Sequence, residues 1–250
     1  SFGGQVLYGS QTLEYRDACL EDLQEVQALL EARWSQYEAA SSAPAFARAA
    51  RSARIVVQFE EVQSFRRPGA RDLFMAENAA WLLDQAGPDA KIVLWAHNGH
   101  VADDPIYDGG GSMGHHLRTR YGDDLVIAGF DFHVGEFQAI AMSDAGTMMG
   151  LRVHSVEPPP KESYEYYFHS ADMERFILDL RGVPLDTPAT SWLAGPRPMR
   201  FIGAGFSPSF ASYCFKQLSL PSQFDLVIWF DSTRAAQGFV RRYPTPCVSL

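Results

Sequence analysis

Short, uninterrupted apolar runs are the feature that most restricts how this chain can fold. One of them, Lys91–Ala96, follows a Gly-Pro turn, and another, Asp124–Phe130, follows a glycine turn at Gly122. Runs of this length and composition are typical of strands buried on both faces, as in a sheet covered by helices. Further strand candidates are Phe137–Met142, Phe176–Leu180, Arg200–Gly203 and Leu226–Phe230.

Helical patterns precede these runs. From residue 19 to about residue 66 apolar residues recur at helical spacing, and Pro44 divides the segment into two helices because proline is tolerated only in a first turn. Pro68-Gly69 ends the second helix. A third helix is predicted from about Arg71 to Gln85, where the stop signal Gly87-Pro88 follows.

The alternation of helices and short apolar strands predicts the α/β class. We expect helices that flank a mostly parallel or mixed sheet, with a helical segment at the N-terminus. A further short helix, Met113–Arg120, lies between the first two strand candidates. Residues 1–250 are predicted to form one domain, in which residues 1–88 are mainly helical and residues 89–250 are α/β.

Charge and cysteine content exclude several classes of function. The net charge is −9, and the basic residues occur singly or in pairs such as Arg66-Arg67 and Arg241-Arg242, whereas nucleic-acid binding requires clustered Lys and Arg. No run approaches the roughly 20 apolar residues of a membrane span, and no signal peptide is visible, so a cytoplasmic protein is expected. Cys19, Cys214 and Cys247 share no short spacing, which predicts free buried thiols.

Two histidines directly follow the Lys91–Ala96 run, in the loop His97-Asn98-Gly99-His100. Ligands of open α/β sheets bind beyond the carboxyl ends of the strands, and imidazoles titrate near neutrality. His97 and His100 are therefore candidates for moving protons or orienting a water molecule. Judged by spacing alone, histidines that hydrogen-bond to nearby loop backbone are an equally good interpretation.

A zinc site is a third interpretation of the same histidines. Zinc needs at least three protein ligands, and the sequence has no helical His-Glu-x-x-His pattern. We therefore predict no tightly held zinc and no cofactor. A third ligand would have to come from one of the acidic or histidine residues nearby, which are Asp103, Asp104, His115 and His116.

The third helix carries an unusual stripe. At about 100° per residue, Arg71, Met75, Asn78 and Leu82 lie on one side of it. A mixture of Arg and Asn with apolar residues is odd for a core face and points to a site, although an Arg stem packed along the edge of the core is an equal alternative. Asp72, in the first turn, is interpreted as a favourable helix-dipole charge.

Other chemical motifs are missing from the sequence. It has no Gly-x-Ser-x-Gly elbow, no P-loop and no Gly-x-Gly-x-x-Gly after a strand. Gly109-Gly110-Gly111 is interpreted as part of a mobile lid, because glycines lose much backbone entropy on ordering. His133, His154 and His169 are isolated in the sequence, which favours structural roles for all three.

The segments just described resemble the erythromycin esterase family. The most specific match is Val93–His100, an apolar strand that ends in Trp-Ala-His-Asn-x-His, and the helix signature around Arg71-Asp72 and Met75–Asn78 agrees with it. The resemblance extends from about Cys19 to Ala235. Its further segments are Met113-Gly114, Leu117-Arg118, Tyr121–Asp123, Ser163–Glu165, Phe168-His169, Leu178–Arg181, Phe224–Asp231 and Thr233–Ala235.

The resemblance implies a hydrolase that adds water to an ester or lactone, as in the opening of macrolide rings, without a covalent enzyme intermediate. His97 and His100 would position the water and stabilise the charge on the carbonyl oxygen, and Arg71 would be a cation in the same site. The expected partner is a small-molecule ester or lactone. The residues expected to bind it are Asn78, Asn98, Met75, Met113 and His116.

One departure from the family pattern concerns the principal base. The family's first motif, a His-Gly pair bracketed by glutamates, does not occur, since the chain contains no His-Gly dipeptide. The expectation is that this chain is the C-terminal part of a larger esterase-like domain and associates with its N-terminal remainder or with itself. A metal-dependent hydrolase and a non-catalytic binding module are the alternatives. A second departure, at Ser212–Phe215, where some relatives carry a histidine, concerns specificity.

Overall fold

A computed structural model describes residue 8, residues 10–64 and residues 67–237. These residues form two compact units. One comprises the described residues up to Ala96 together with Asp103–Leu125, and the other comprises His97–Ala102 together with the described residues from Val126 onward. The mixed α/β class with an N-terminal helical segment is confirmed.

The first unit is helical, and side-chain caps mark where three of its helices begin, at Leu13, Ala43 and Met113. Its helices are α1 (Leu13–Ala32), α2 (Trp34–Ala40), α3 (Ala43–Gln63), α4 (Ala70–Ala86) and α6 (Met113–Tyr121). The Ser42 hydroxyl accepts the Ala45 N–H at the start of α3, and Pro44 lies in the first turn of that helix, as predicted. The predicted first helix is divided again at Arg33. The predicted second helix ends at about residue 66, and residues 65–66 lie outside the described residues.

The buried face of α4 differs from the predicted stripe. Small residues and one aromatic residue, Phe74, form the buried face, whereas Arg71 is exposed and Leu82 is exposed by 54%. Asp72 is buried, and its carboxylate accepts the Met113 backbone N–H at 3.0 Å. Asp72 therefore caps α6, a partner that its position in α4 did not indicate.

The glycines of the predicted lid belong to a close backbone contact within this unit. A Cβ on Gly110 would lie 2.7 Å from the Pro68 carbonyl oxygen, and a Cβ on Gly69 would lie 2.4 Å from the Gly110 Cα. Only glycine permits this approach at both positions. Lid motion stays a prediction.

The second unit contains the sheet. Its strands are β1 (Ala128–Met142), β2 (Met148–Val156), β3 (Arg175–Asp179), β5 (Gly205–Phe206) and β7 (Leu226–Thr233), in the order β2-β1-β7-β3 with β5 beside β1. The β1–β7 and β1–β5 pairs are parallel, and the other two pairs are antiparallel. A second, two-stranded sheet pairs β4 (Arg197–Arg200) with β6 (Phe215–Leu218). The short helices are α5 (Asn98–Val101), α7 (Tyr164–His169), α8 (Ser191–Ala194) and α9 (Leu220–Gln223).

Apolar residues of β7 and a hydrogen-bonded tyrosine form the core of this unit. Val227 and Trp229 are completely buried, as the apolar run predicted. Tyr164 is also completely buried, and its hydroxyl accepts the Leu220 N–H at 3.0 Å. The same oxygen lies 3.0–3.2 Å from the carbonyls of Leu193, Gly195 and Leu218, so one hydroxyl joins several segments.

Three predictions of strands are wrong in detail. Of the run predicted at Arg200–Gly203, only Arg200 belongs to a strand, β4, and residues 201–203 form none. The runs predicted separately at Asp124–Phe130 and Phe137–Met142 contribute to one 15-residue strand, β1. The Lys91–Ala96 run forms no strand, and Val93 and Trp95 are 90% and 82% exposed. A strand requires a neighbour for its backbone hydrogen bonds, and no described strand pairs with this run.

Cys19 and Cys214 are free thiols, as predicted, but they are half-buried and not buried, and Cys247 lies outside the described residues. Among the residues that the structure describes, no helix is long and apolar enough to cross a membrane.

Candidate active site

The two predicted histidines lie together in a tight turn at the start of α5. His97 is the N-cap residue, and its Nδ1 accepts the Gly99 backbone N–H at 3.1 Å. Because that nitrogen accepts a hydrogen bond, the neutral ring carries its proton on Nε2. The His97 and His100 rings meet edge to face, with centroids 6.4 Å apart.

Asn98 anchors this turn to the long strand of the sheet. Its amide nitrogen donates to the Phe130 carbonyl at 2.6 Å, and its amide oxygen accepts the Phe130 N–H at 3.0 Å. Only a side-chain amide of this length can donate and accept at one residue's backbone in this way. These two hydrogen bonds of Asn98 therefore explain how the histidine turn is held in place without a preceding strand.

The surroundings of His97 favour an uncharged ring. Burial lowers the pKa of His97, the positive charge of His100 lowers it further, a backbone hydrogen bond with Ile202 opposes this, and Lys216 adds to the lowering. The Phe201 ring stands edge-on to His97 at 5.9 Å, and the Lys216 ammonium lies 5.3 Å from the centre of the Phe201 ring. The result is an uncharged imidazole in electropositive surroundings.

A buried charged cluster lies on the same unit. The Arg200 backbone N–H donates to Glu165 at 2.5 Å, and its guanidinium donates to the His133 and Glu157 carbonyls at 3.0 Å each. Burial, followed by repulsion from Glu165, raises the pKa of Asp131 well above its usual value, and burial also raises the pKa of Glu165. Asp131 and Glu165, whose raised pKa values favour the protonated forms, therefore both interact with the Arg200 guanidinium. No sequence spacing connects these residues.

A half-open cleft of about 320 Å³ lies beside this cluster. Arg200, Ser212 and Cys214 are among its lining residues, so the segment that departs from the family pattern faces the cleft. Burial raises the pKa of the Cys214 thiol, which keeps it protonated near neutrality. This agrees with the interpretation of Cys214 as a buried thiol and not a nucleophile.

The remaining predicted site residues belong to the first unit. Arg71 is exposed at the start of α4, Met75 is half-buried and Met113 is buried. The Asn78 amide donates to Gln58 at 3.0 Å, in a network between α3 and α4. His116 lies beside His115, with ring centroids 5.9 Å apart. The substrate-binding roles of these residues stay predictions, as does that of Asn98.

Two histidines that are isolated in the sequence meet in the second unit. His133 on β1 and His169 at the end of α7 stack with ring centroids 3.8 Å apart and an interplanar angle of 14°. Asp231 on β7 joins them, with its Oδ1 2.6 Å from the His169 Nδ1. These residues are 62 or more positions from Asp231, so no spacing motif could have indicated the cluster.

The fold and the anchored histidine turn define a mixed α/β protein with a candidate acid–base site. The family model described as Erythromycin esterase matches residues 3–233, and the chain therefore belongs to the erythromycin esterase family. The predicted resemblance is confirmed.

Two curated relatives agree with this assignment. A protein of Bacillus subtilis (strain 168) named "Putative hydrolase YbfO" is 28% identical over 64% of this chain and 34% of its own length. Erythromycin esterase type II of Escherichia coli is 30% identical over 47% of this chain and 29% of its own length. The names of the family and these relatives point to a hydrolase, and the matched region spans about a third of either relative.

Solved structures share the fold. A Bacillus cereus protein superposes with a TM-score of 0.76 at 24% identity, over 92% of this chain and 55% of that one. A succinoglycan biosynthesis protein gives 0.71 at 21% identity, over 91% and 52%. An erythromycin esterase mutant in its open conformation gives 0.67 at 18% identity, over 91% and 55%.

Proposed function

We propose that this chain is part of a hydrolase that adds water to a carboxylic ester or lactone, without a covalent enzyme intermediate. The observation that carries the proposal is the His97 turn, in which an imidazole with a lowered pKa caps α5 and is held beside a second histidine. A histidine used only to satisfy loop backbone would not require Asn98 to hold its turn against β1.

The hydrogen bonds of His97 indicate its role. Its Nδ1 accepts the Gly99 N–H, so the Nε2–H is the ring's donor, and the hydrogen bond that it makes with the Ile202 backbone would be exchanged for one to the substrate. We propose that this donor stabilises the negative charge that develops on the substrate carbonyl oxygen when water attacks. Lys216, whose ammonium lies 5.3 Å from the centre of the Phe201 ring, adds positive potential at His97.

His100 completes the pair in this proposal. Its ring lies edge-on to His97, where it can orient the attacking water or return a proton to the leaving oxygen. The principal base is proposed to come from the family's His-Gly motif, which the 250 residues lack. It would be supplied by an N-terminal remainder of the protein or by another chain.

The substrate class follows from the family and its relatives. A macrolide lactone is the first candidate, because the Escherichia coli relative is named an erythromycin esterase. Arg71 is proposed to be a cation for the substrate oxygen. A cytoplasmic location of the protein stays a prediction. Residues proposed to contact substrate are Asn78, Asn98, Met75, Met113 and His116.

Hydrolysis assays test this proposal, with the His97→Asn variant as the sharpest probe. Asparagine is a favourable N-cap whose oxygen can accept the Gly99 N–H, so this variant keeps the turn but removes the imidazole donor. We expect hydrolysis of a macrolactone or an aryl ester by the full-length protein to fall at least about 100-fold, the usual effect of losing one such donor.

The control for this assay is His154→Asn. This histidine packs on Phe137 and Phe206 in the same unit and is absent from the His97 pair. We expect its activity to stay within about threefold of wild type, which is equivalent to less than 1 kcal/mol. Equal hydrolysis by wild type and His97→Asn, across a panel of esters and lactones, would refute the proposed role.

A further inference from the structure

The second histidine cluster is built on rigid elements of the second unit. Strands β1 and β7 are parallel, and the pairs Phe132↔Phe230 and Val134↔Ser232 place His133 beside Asp231 on the same face of the sheet. His169, the last residue of α7, brings a second imidazole over the first. Three side chains from three different elements therefore converge on one point.

The ligand atoms of these side chains are close enough to share an ion. One atom from each residue can be chosen so that all three lie within 4.8 Å of one another. The Asp231 Oδ1 lies 2.6 Å from the His169 Nδ1 and 3.9 Å from the His133 Nδ1. A tetrahedral zinc ion with bonds of about 2.0–2.1 Å holds its ligand atoms roughly 3.3 Å apart. To bind it, the two rings, which are stacked at an interplanar angle of 14°, would turn so that a nitrogen of each faces the ion.

An independent observation points to a missing partner at this place. The His133 side chain belongs to a residue that is only 9% exposed, and its Nδ1 is buried without a hydrogen-bond partner among the described residues. Buried polar atoms are nearly always hydrogen-bonded, so such an atom needs an explanation. This nitrogen faces the Asp231 carboxylate across 3.9 Å, a gap that a bridging cation would fill.

The donor set selects the kind of cation. Two imidazole nitrogens and one carboxylate oxygen suit zinc and its first-row neighbours, whereas Mg²⁺ and Ca²⁺ prefer oxygen ligands throughout. The His169 and Asp231 side chains are 50% and 34% exposed, so solvent reaches the cluster. Water can thus complete the coordination that three protein ligands leave open.

We propose that His133, His169 and Asp231 form a binding site for one Zn²⁺ ion, separate from the His97 turn. The ion joins β1 and β7 to the end of α7. The proposed zinc site goes beyond the proposed ester hydrolysis, because no step of that hydrolysis uses a metal ion. It also replaces the prediction of no tightly held zinc, which considered only ligands near His97 in the sequence.

The experiment measures zinc binding directly and does not depend on turnover. Protein stripped with a chelator and dialysed is titrated with ZnCl₂ by calorimetry, and its melting temperature is recorded with and without zinc. We expect one saturable site and a rise in melting temperature, because an ion that binds only the folded state stabilises it. Cobalt(II) should give visible bands of an oxygen–nitrogen site without thiolate charge transfer.

Variants assign the site to these residues. His169→Asn and Asp231→Asn change half-exposed side chains and are expected to fold, as circular dichroism can verify, and each should weaken zinc binding more than about 100-fold. His115→Asn is the matched control, because His115 also pairs with an aspartate, Asp103, at 2.8 Å. Zinc binding in that variant should equal that of wild type.

Three outcomes would overturn the inference. They are the absence of a saturable zinc site in the wild type, zinc affinity unchanged in both His169→Asn and Asp231→Asn, and loss of the site in His115→Asn alone. None of these outcomes bears on ester hydrolysis, which the His97→Asn assay tests separately.

Discussion

Replacing Asn98 is the most direct test of how the histidine turn is held. Its amide both donates to and accepts from the Phe130 backbone, at 2.6 and 3.0 Å. Asn98→Ala removes both hydrogen bonds. Asn98→Asp is nearly the same size and can still accept the Phe130 N–H, but it places a carboxylate against the Phe130 carbonyl oxygen, where it cannot donate.

The magnitude follows from the two hydrogen bonds. Each contributes about 0.5–1.5 kcal/mol net, and because Phe130 is partly exposed, water can partly replace the lost partner. We therefore expect a loss of about 1–2 kcal/mol in the free energy of unfolding for either variant. For a chain of this size that corresponds to a melting temperature lower by about 2–8 °C.

Thermal unfolding of the variants measures this effect. Gln138→Ala is the control, because Gln138 is an exposed amide on the same strand, and its effect should stay within about 0.5 kcal/mol. Nitrogen NMR of the His97 ring should show the Nε2–H tautomer in wild type and a tautomer mixture once the turn loosens. Melting temperatures of both variants within about 1 °C of wild type, with an unchanged tautomer, would refute the anchoring argument.

Three further predictions concern stability and pH. Tyr164→Phe should lower the free energy of unfolding by about 1–3 kcal/mol in chemical denaturation, because it leaves the buried Leu220 N–H without its acceptor; an unchanged midpoint would contradict this. Gly135→Ala should cost more than about 2 kcal/mol in the same assay, since Gly135 has φ +127° and a Cβ would lie 2.3 Å from the Thr233 carbonyl oxygen; wild-type stability would show that the strands can shift. His97 should titrate by NMR below the ordinary pKa of 6.5. Its contribution to stability is then fully present above pH 6.5 and is lost as pH falls toward the lowered folded-state pKa, and a titration midpoint above 6.5 would reverse that sign.

Local sequence signals determined where several elements begin and end. Ser42 followed by Pro44 marks the start of α3, and Ser112 marks the start of α6, because a hydroxyl and a proline act on the first turn that follows them. The run Leu226–Phe230 became the buried strand β7 because its β-branched and aromatic residues suit only an interior position. The histidine turn was likewise visible as a motif.

Tertiary structure decided what depends on partners distant in the chain. Lys91–Ala96 has the composition of a buried strand, yet it forms none, because strand formation depends on a neighbour's backbone hydrogen bonds. Asp72 could be interpreted locally as a helix-dipole charge, but its buried carboxylate caps a helix 41 positions away. The periodicity of apolar residues predicts which residues are buried, but it does not predict which polar atoms form hydrogen bonds with each other.

The same limit applies to the candidate sites. The sequence by itself determined that His97 and His100 lie close together, because only two residues separate them. It did not determine that Asn98 would hydrogen-bond to β1, or that His133 and His169 would stack beside Asp231. His133 lies beside Asp231 because parallel strands bring residues about a hundred positions apart into register, and only the folded sheet specifies that register.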